Sequence, residues 1–154
     1  TTGDCNVPDI WGSAFAVRLG VATSDQAQRI AKYFKTHYDE LTLHGQLRHT
    51  PGFTDWSGQK TPTNSGKYQS GGYWATPVGW LVYTLDLEDP ALAEQTVIDL
   101  VRHFQEHGAC EWINREGVCQ LPGYTASAAL PLEGIHAMLK RRGSTSAAVH
   151  RTNN

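Results

Sequence analysis

The sequence predicts an all-α fold made of helical hairpins in an inner and an outer layer. Of the five predicted helices, three are apolar nearly all round, and the other two have one apolar and one polar face. No stretch alternates between apolar and polar residues over the length of a strand. Since a helix without a polar face is buried on every side, we expect the first, third and fifth helices to form the inner layer.

The length and charge of the chain suit a single globular domain. Its 154 residues are enough to bury a sizeable core, and we place the domain at residues 1–143 and a polar tail at residues 144–154. The net charge of -2 gives no reason to expect nucleic acid or an anionic membrane surface as a partner. No apolar run reaches the ~18 residues of a membrane-spanning helix, so no membrane span is expected.

The first two predicted helices differ in character. Residues 7–20 form a helix that is apolar on every face. The second helix begins at Thr23, which is followed three residues later by Gln26 in the pattern of a capping box. Apolar residues then recur at helical spacing as far as Leu41, so one face of this helix is expected to be buried.

A long loop and an apolar helix occupy the middle of the chain. The loop, residues 44–70, is rich in glycine, proline, threonine and serine. Loops of this length in a compact domain usually have a function. The third helix follows at residues 73–87.

The fourth and fifth helices have clear signals at their ends. Asp89 and Pro90 provide a cap and a proline at the first helical position, and Gly108 ends the fourth helix. The fifth helix covers residues 125–142 and is expected to bend at Pro131.

Residues 68–80 form the most informative segment, because they concentrate groups that bind sugars. They include four aromatic residues, three glycines and one glutamine. Aromatic faces stack on the apolar faces of sugar rings, amides pair with sugar hydroxyls, and glycines let the backbone approach a ligand closely. The segment indicates a carbohydrate site contacted by Gln69, Tyr73 and Trp74. The alternative is a packed aromatic core beside a glycine loop.

The chain shows no pattern typical of a metal or cofactor site, and we expect neither group. Three cysteines occur without a C-x-x-C spacing; Cys110 and Cys119 flank a short loop and either form a disulfide or remain two partly buried thiols. His103 to His107 match the short zinc-peptidase pattern H-x-x-E-H. We interpret them as the solvated end of the fourth helix, because no third ligand is evident.

Three segments occur in the order seen in a known enzyme family. They are residues 22–30 (Ala-Thr-Ser-Asp-Gln-Ala-Gln-Arg-Ile), 71–80 (Gly-Gly-Tyr-Trp-Ala-Thr-Pro-Val-Gly-Trp) and 111–117 (Glu-Trp-Ile-Asn-Arg-Glu-Gly). With an outer helix between the last two, the chain resembles the C-terminal part of the (α/α)6-barrel, or six-hairpin, glycoside hydrolases. Within these enzymes, the chain is similar to the trehalase and family 63 group of glucosidases and mannosidases.

The resemblance implies a fold and a partner. The five helices would form part of a twelve-helix (α/α)6 toroid, and the chain would be a fragment or C-terminal portion of the enzyme. Its inner helices would expose more apolar surface than a monomer tolerates. We therefore expect the remainder of the barrel, or a complementary chain, as a partner. Since the family's general acid lies on an earlier hairpin outside this sequence, we also expect the chain alone to be inactive.

The resemblance also implies a catalytic residue. Glu111 matches the position of the family's general base, which activates water in an inverting mechanism, and Trp112 and Tyr124 would shield it from bulk water. The family's general acid lies on an earlier hairpin. The alternative for Glu111 is a loop carboxylate that caps a turn.

Three further residues are expected in the same pocket. Arg48 in the long loop would pair with sugar hydroxyls or hold Glu111, or form an ordinary salt bridge. Asp9 and Trp11 lie at the mouth of the first inner helix; for Asp9 the alternative is a carboxylate that stabilises the helix end. We expect the pocket residues to converge at one end of the helices.

The leading hypothesis is a portion of an inverting glycoside hydrolase that acts on an oligosaccharide or another glycoside. One alternative is a non-hydrolytic six-hairpin enzyme such as a sugar epimerase, which would depend on histidines. The other is a sugar-binding or structural helical module without catalysis.

Overall fold

The chain is a mixed α/β protein, so the prediction of an all-α fold of helical hairpins in a toroid is wrong. The structure, a computed structural model, describes residues 7–51 and 68–152, with side chains as far as residue 144. Within these residues six helices accompany a five-stranded antiparallel sheet. The predicted site residues lie mainly on that sheet and not at the mouths of helices.

The helices and strands alternate in groups along the described residues. The helices are α1 (Ile10–Arg18), α2 (Ser24–Thr36), α3 (Tyr38–Leu41), α4 (Val78–Leu85), α5 (Pro90–His107) and α6 (Thr125–Thr152). The strands are β1 (Thr42–Leu43), β2 (Gln46–Arg48), β3 (Tyr73–Trp74), β4 (Cys110–Ile113) and β5 (Cys119–Pro122). They lie in the sheet in chain order, and each neighbouring pair is antiparallel.

The capping signals read from the sequence are confirmed. The Thr23 side chain accepts a hydrogen bond from the backbone N–H of Gln26, whose own side chain accepts one from the Thr23 N–H. At α5, the Asp89 side chain caps the helix by accepting a hydrogen bond from the N–H of Leu92. These contacts are local, so the sequence alone is enough to predict them.

Two predicted helices are interrupted or shortened. The second divides at His37, where the backbone leaves the helical region (φ -107, ψ 18), so α2 is followed by the short α3. The third was predicted from residue 73, but Tyr73 and Trp74 form β3 and α4 begins only at Val78. Pro77 explains the delay, because a proline disfavours helical geometry in the residue before it.

The core is centred on α4. This helix contacts α1, α2, α5 and α6. Its buried side chains include Val78, Leu81, Val82 and Leu85. Of the predicted inner layer, only α4 is buried nearly all round; α1 and α6 leave Phe15, Leu19, Leu132 and Leu139 exposed.

The last helix and the long loop also differ from their predictions. Helix α6 continues as far as Thr152, through most of the segment predicted as a polar tail, and Pro131 lies inside it. The predicted loop of residues 44–70 contains β2 and a 3-10 turn at Tyr68–Ser70, and its residues 52–67 lie outside the described part.

Across residues 7–51 and 68–152, no helix combines the length and apolarity needed to cross a membrane.

Candidate functional site

Three neighbouring strands bring most of the predicted site residues together. Arg48 on β2 pairs in register with Tyr73 on β3, and Tyr73 pairs with Ile113 on β4. Glu111 and Trp112 lie on β4, just before Ile113. Strand pairing therefore places residues that are far apart in sequence side by side.

Glu111 is a largely buried carboxylate at this site. Its side chain lies on β4, and the residue is 8% exposed. The Tyr68 hydroxyl donates a hydrogen bond of 3.4 Å to Glu111 Oε1. A carboxylate removed from bulk water and held by a hydroxyl is suited to polarising a water molecule or a sugar hydroxyl.

Tyr68 is the residue that joins the site, and it was absent from the predicted set. Its ring meets the ring of Trp74 edge-on at 5.0 Å and that of Trp112 at 6.2 Å. Its carbonyl accepts hydrogen bonds from the Gly72 N–H at 2.8 Å and from Trp74 Nε1 at 3.3 Å. Because Tyr68 contacts both Trp74 and Glu111, these two predicted residues lie on the same side of the molecule.

Tyr68 is exposed despite these contacts. It is 43% exposed and has a left-handed backbone, with φ 49, which is uncommon for a residue that is not glycine. Burial of the hydroxyl raises the pKa of Tyr68, and the negative charge of Glu111 raises it further. The hydroxyl therefore stays protonated as a donor at neutral pH. The sequence shows a tyrosine in an aromatic segment but no signal for this conformation.

Gly72 lets Trp112 lie against the turn that contains Tyr68. A Cβ atom on Gly72 would lie 2.6 Å from Trp112 Cε3 and 2.6 Å from the Tyr68 carbonyl oxygen. Both distances are far below van der Waals contact, so no residue with a side chain fits without displacing the ring or the backbone. Trp112 itself remains partly exposed beside Glu111.

The surface continues past Trp74 to the start of α1. The ring of Trp11 meets Trp74 edge-on at 5.6 Å and stacks on His49 at 4.4 Å. Asp9 Oδ1 lies 3.3 Å from His49 Nε2 and accepts a hydrogen bond of 2.7 Å from the Gly12 N–H. Asp9 therefore caps α1, which was the alternative interpretation of this residue. It also lies beside His49, whose ring stacks on Trp11.

The environment of Asp9 keeps it ionised. The hydrogen bond from His49 lowers the pKa of Asp9, burial opposes this, and the backbone N–H of Gly12 lowers it further. The net shift is downward, so Asp9 is a carboxylate at neutral pH. It can accept hydrogen bonds from a ligand but is poorly suited to donate a proton.

Arg48 is built into the sheet. It is 2% exposed, and its guanidinium lies 4.8 Å over the Tyr73 ring. The guanidinium donates hydrogen bonds to the carbonyl oxygens of Glu40 at 3.1 Å and Gly71 at 3.4 Å. Burial lowers the pKa of Arg48. Among the described contacts, Arg48 supports the strands and does not pair with the Glu111 carboxylate.

The remaining predicted residues lie at the edge of the site. Gln69 is exposed in the 3-10 turn directly after Tyr68. Tyr124 is 38% exposed where α6 begins, and its N–H is bonded to the Ala109 carbonyl at 3.1 Å, one residue before β4. Both side chains are therefore available to a ligand that covers Tyr68.

A disulfide joins the two strands beside Glu111. Cys110 and Cys119 are bonded, with their Cα atoms 5.6 Å apart, which decides between the two alternatives left open by the sequence. Cys110 precedes Glu111 directly on β4. The bond therefore fixes the strand that holds the carboxylate.

The described residues show no metal site. No group of three or more histidine, cysteine, aspartate or glutamate side chains within residues 7–51 and 68–144 is arranged to hold an ion. The histidines of the H-x-x-E-H segment differ from one another: His107 is exposed, but His103 is only 4% exposed. The interpretation of this segment as a solvated face is therefore wrong for His103.

A scan of protein-family models and searches of curated proteins and of solved structures found no match to this chain.

Proposed function

We propose that the surface formed by Trp11, Tyr68, Trp74, Trp112 and Glu111 binds a carbohydrate, and that Glu111 is the general base of an inverting glycoside hydrolase. The observation that supports this most directly is the hydrogen bond between a buried carboxylate and the hydroxyl of Tyr68, a partly exposed tyrosine whose ring contacts two tryptophans. Sugars offer both apolar ring faces and hydroxyls, and this surface offers a partner for each.

The exposed parts of the surface lie on both sides of a buried centre. Trp74 is 5% exposed and separates Tyr68 and Trp112 on one side from Trp11 on the other. A ligand that touches both sides must extend across Trp74. The proposed substrate is therefore an oligosaccharide or a glycoside with a second ring, with Asp9 accepting hydroxyl hydrogen bonds at the far end.

The reaction needs a base and an acid on opposite faces of the scissile bond. Glu111 supplies the base by taking a proton from a water molecule that attacks the sugar carbon, while the bond to the leaving oxygen breaks. Asp9, held as a carboxylate, does not supply the acid at neutral pH. We infer that the proton comes from a complementary polypeptide, which is the second proposed partner besides the carbohydrate.

Glycosides with a good leaving group test the base separately from the acid, because a dinitrophenolate departs without protonation. We expect the protein to cleave 2,4-dinitrophenyl glucoside or mannoside, with inversion at the sugar carbon visible by NMR, and to leave trehalose intact. Glu111→Gln should reduce the cleavage rate by about a hundredfold to ten-thousandfold. Glu116→Gln is the matched control, since Glu116 lies on the turn after β4, is exposed and pairs with Arg115.

Equal rates for Glu111→Gln and the unaltered protein would refute the assignment of the base. A retained configuration in the product would refute the inverting mechanism while leaving the sugar site in place.

A sugar-binding module without catalysis is the second candidate. It is favoured by the downward pKa shift of Asp9, which leaves the described surface without a proton donor of the carboxylic acid type. In that case maltotriose or mannotriose should quench tryptophan fluorescence, Trp112→Phe should weaken the response, and no glycoside should be cleaved. Trp80→Phe is the control, because Trp80 packs against Phe15, with ring centroids 4.5 Å apart.

A further inference from the structure

Three histidines that take no part in the proposed sugar site form a packed cluster on the other part of the sheet. The histidine cluster comprises His44, His103 and His107. The ring of His103 stacks on His44 at 5.2 Å with an interplanar angle of 24°, and it lies 4.8 Å from the ring of His107. His103 is buried, while His44 and His107 are exposed.

The cluster lies where two β-turns meet the end of α5. His44 and Gly45 form the turn between β1 and β2, both with positive φ (51 and 70) as a tight two-residue hairpin turn requires. A Cβ atom on Gly45 would lie 2.5 Å from the backbone nitrogen of Leu100, so this turn touches α5 directly. On the other side, a Cβ atom on Gly117, in the turn between β4 and β5, would lie 2.9 Å from His44 Nε2.

The centre of the cluster is polar and buried. The Gln46 side chain, which is 0% exposed, has its Nε2 atom 3.3 Å from His103 Nδ1. Among the described residues, Gln46 Oε1 has no hydrogen-bond partner. The polar neighbour of His103 on its other side is the backbone of Gly117, at a geometry outside the usual hydrogen-bond limits. Burial therefore favours the neutral form of the His103 imidazole, because a charge there would lose its solvation by water.

The neighbouring charges also disfavour a protonated His103. His107 from α5 and His44 from the β1–β2 turn would both repel it when they are protonated. Glu106 on α5 is the opposing charge, but it already lies 3.7 Å from His107 Nε2. On the β4–β5 turn, Arg115 and Glu116 pair with each other at 2.7 Å.

Together these effects lower the pKa of His103. Burial lowers the pKa of His103, the charges of His107 and His44 lower it further, and the Gly117 backbone and Glu106 oppose the shift. Because the pKa of His103 is lower in the folded protein than in the unfolded chain, the neutral His103 ring contributes its full stabilisation above the unfolded pKa. This stabilisation is lost as the pH falls through the folded pKa.

We propose that the histidine cluster is an acid-sensitive joint, which holds the β1–β2 and β4–β5 turns on the end of α5 when neutral and releases them when His103 is protonated. Glu111 lies on β4, so release of the β4–β5 turn also loosens the strand that holds this carboxylate. The joint is defined by packing and burial, and it does not depend on the proposed sugar site.

Urea denaturation at several pH values tests the proposal. We expect the urea midpoint of the unaltered protein to fall between about pH 7.5 and about pH 5, where histidines titrate. His103→Gln should give a nearly flat profile over this range, because the buried titrating group is gone. His136→Gln, at an exposed position on α6, is the matched control and should follow the unaltered protein.

If His103→Gln does not fold, hydrogen exchange and NMR measurements on the unaltered protein still test the proposal. In the unaltered protein, acidification should speed exchange of the Gly45 and Gly117 amides, after correction for intrinsic rates, more than that of Leu81 in the core. His103 should titrate at a lower pH than the histidines of the unfolded chain. Parallel urea profiles for His103→Gln and the unaltered protein, or a His103 titration that matches the unfolded chain, would overturn the proposal.

Discussion

At the scale of single residues, the candidate site depends on one backbone position that the sequence does not reveal. Tyr68 has a left-handed backbone (φ 49), and its carbonyl receives two hydrogen bonds, from Gly72 and Trp74. Such a conformation is held by its surroundings at a cost of about 1–3 kcal/mol. The same turn directs the Tyr68 hydroxyl towards Glu111. The strained backbone at Tyr68 and its contact with Glu111 therefore both come from this turn.

Gly72→Ala tests whether this turn determines the position of Trp112. The added methyl group would meet the Trp112 ring and the Tyr68 carbonyl oxygen, each 2.6 Å away. We expect a loss of about 1–3 kcal/mol in the free energy of unfolding, as overpacking typically gives, together with altered tryptophan fluorescence. Urea denaturation followed by fluorescence measures both.

The control for this variant is Gly143→Ala on α6. A Cβ atom at Gly143 has no neighbour within 4 Å. Alanine is favoured over glycine in a helix by about 0.5–1 kcal/mol, so the control should be as stable as the unaltered protein or more stable. A Gly72→Ala protein that also keeps its stability would show that Trp112 does not pack on this turn.

The sequence predicted part of the site because side-chain chemistry is visible in it. Glu111, Trp74 and Trp112 were singled out for their chemistry, and the strands place them near one another. The burial of Arg48 between carbonyl groups was not predictable, because it depends on the pairing of β2 with β3. Tyr68 was missed for a similar reason, since its role depends on contacts with residues of β3 and β4.

At the scale of elements, local signals were informative and non-local ones were not. The capping box of α2 and the Asp89 cap of α5 involve residues three positions apart, so the sequence contains the whole interaction. The strands contain between two and four residues. No alternation can show over so few positions, and their stability comes from pairing with strands elsewhere in the chain.

The β4–β5 hairpin leads to a prediction about its disulfide. Removing the bond between Cys110 and Cys119, which are separated by 9 positions, with a double serine variant frees a short loop in the unfolded chain. We expect the free energy of unfolding to fall by about 2–3 kcal/mol. We also expect weaker sugar binding, because Glu111 and Trp112 lie on the freed strand. Thermal or urea denaturation measures the first effect, and tryptophan quenching by maltotriose measures the second.

Cys5→Ser is the control for the disulfide variant, because it removes a thiol and leaves the bond intact. If the double variant binds maltotriose as tightly as the control while its stability falls, the hairpin would be a stabilising element only. The sugar site would then have to depend on residues other than those of β4.

At the scale of the whole molecule, the helices pack around α4 and leave apolar side chains on the outer surfaces of α1 and α6. The inner layer expected from the sequence is thus reduced to one fully enclosed helix. The sequence predicted that α1 and α6 are also enclosed, because apolar residues occur on every face of each of these helices. Which of those faces is covered depends on the packing partners and cannot be read from one helix at a time.

Matched leucine truncations test this division of the molecule. Leu81 on α4 is 1% exposed, and Leu132 on α6 is 52% exposed. Leu81→Ala should reduce the free energy of unfolding by about 2–5 kcal/mol, because it leaves a cavity in the core. Leu132→Ala should change it by less than about 0.5 kcal/mol, since solvent fills the space.

Urea denaturation of both variants at two protein concentrations distinguishes a solvent-exposed Leu132 from one that another polypeptide covers. Equal losses that do not depend on concentration would contradict the arrangement of α6 around α4. If the loss of unfolding free energy in Leu132→Ala grows with protein concentration, another polypeptide covers this face of α6. That result would agree with the expected need for a complementary chain.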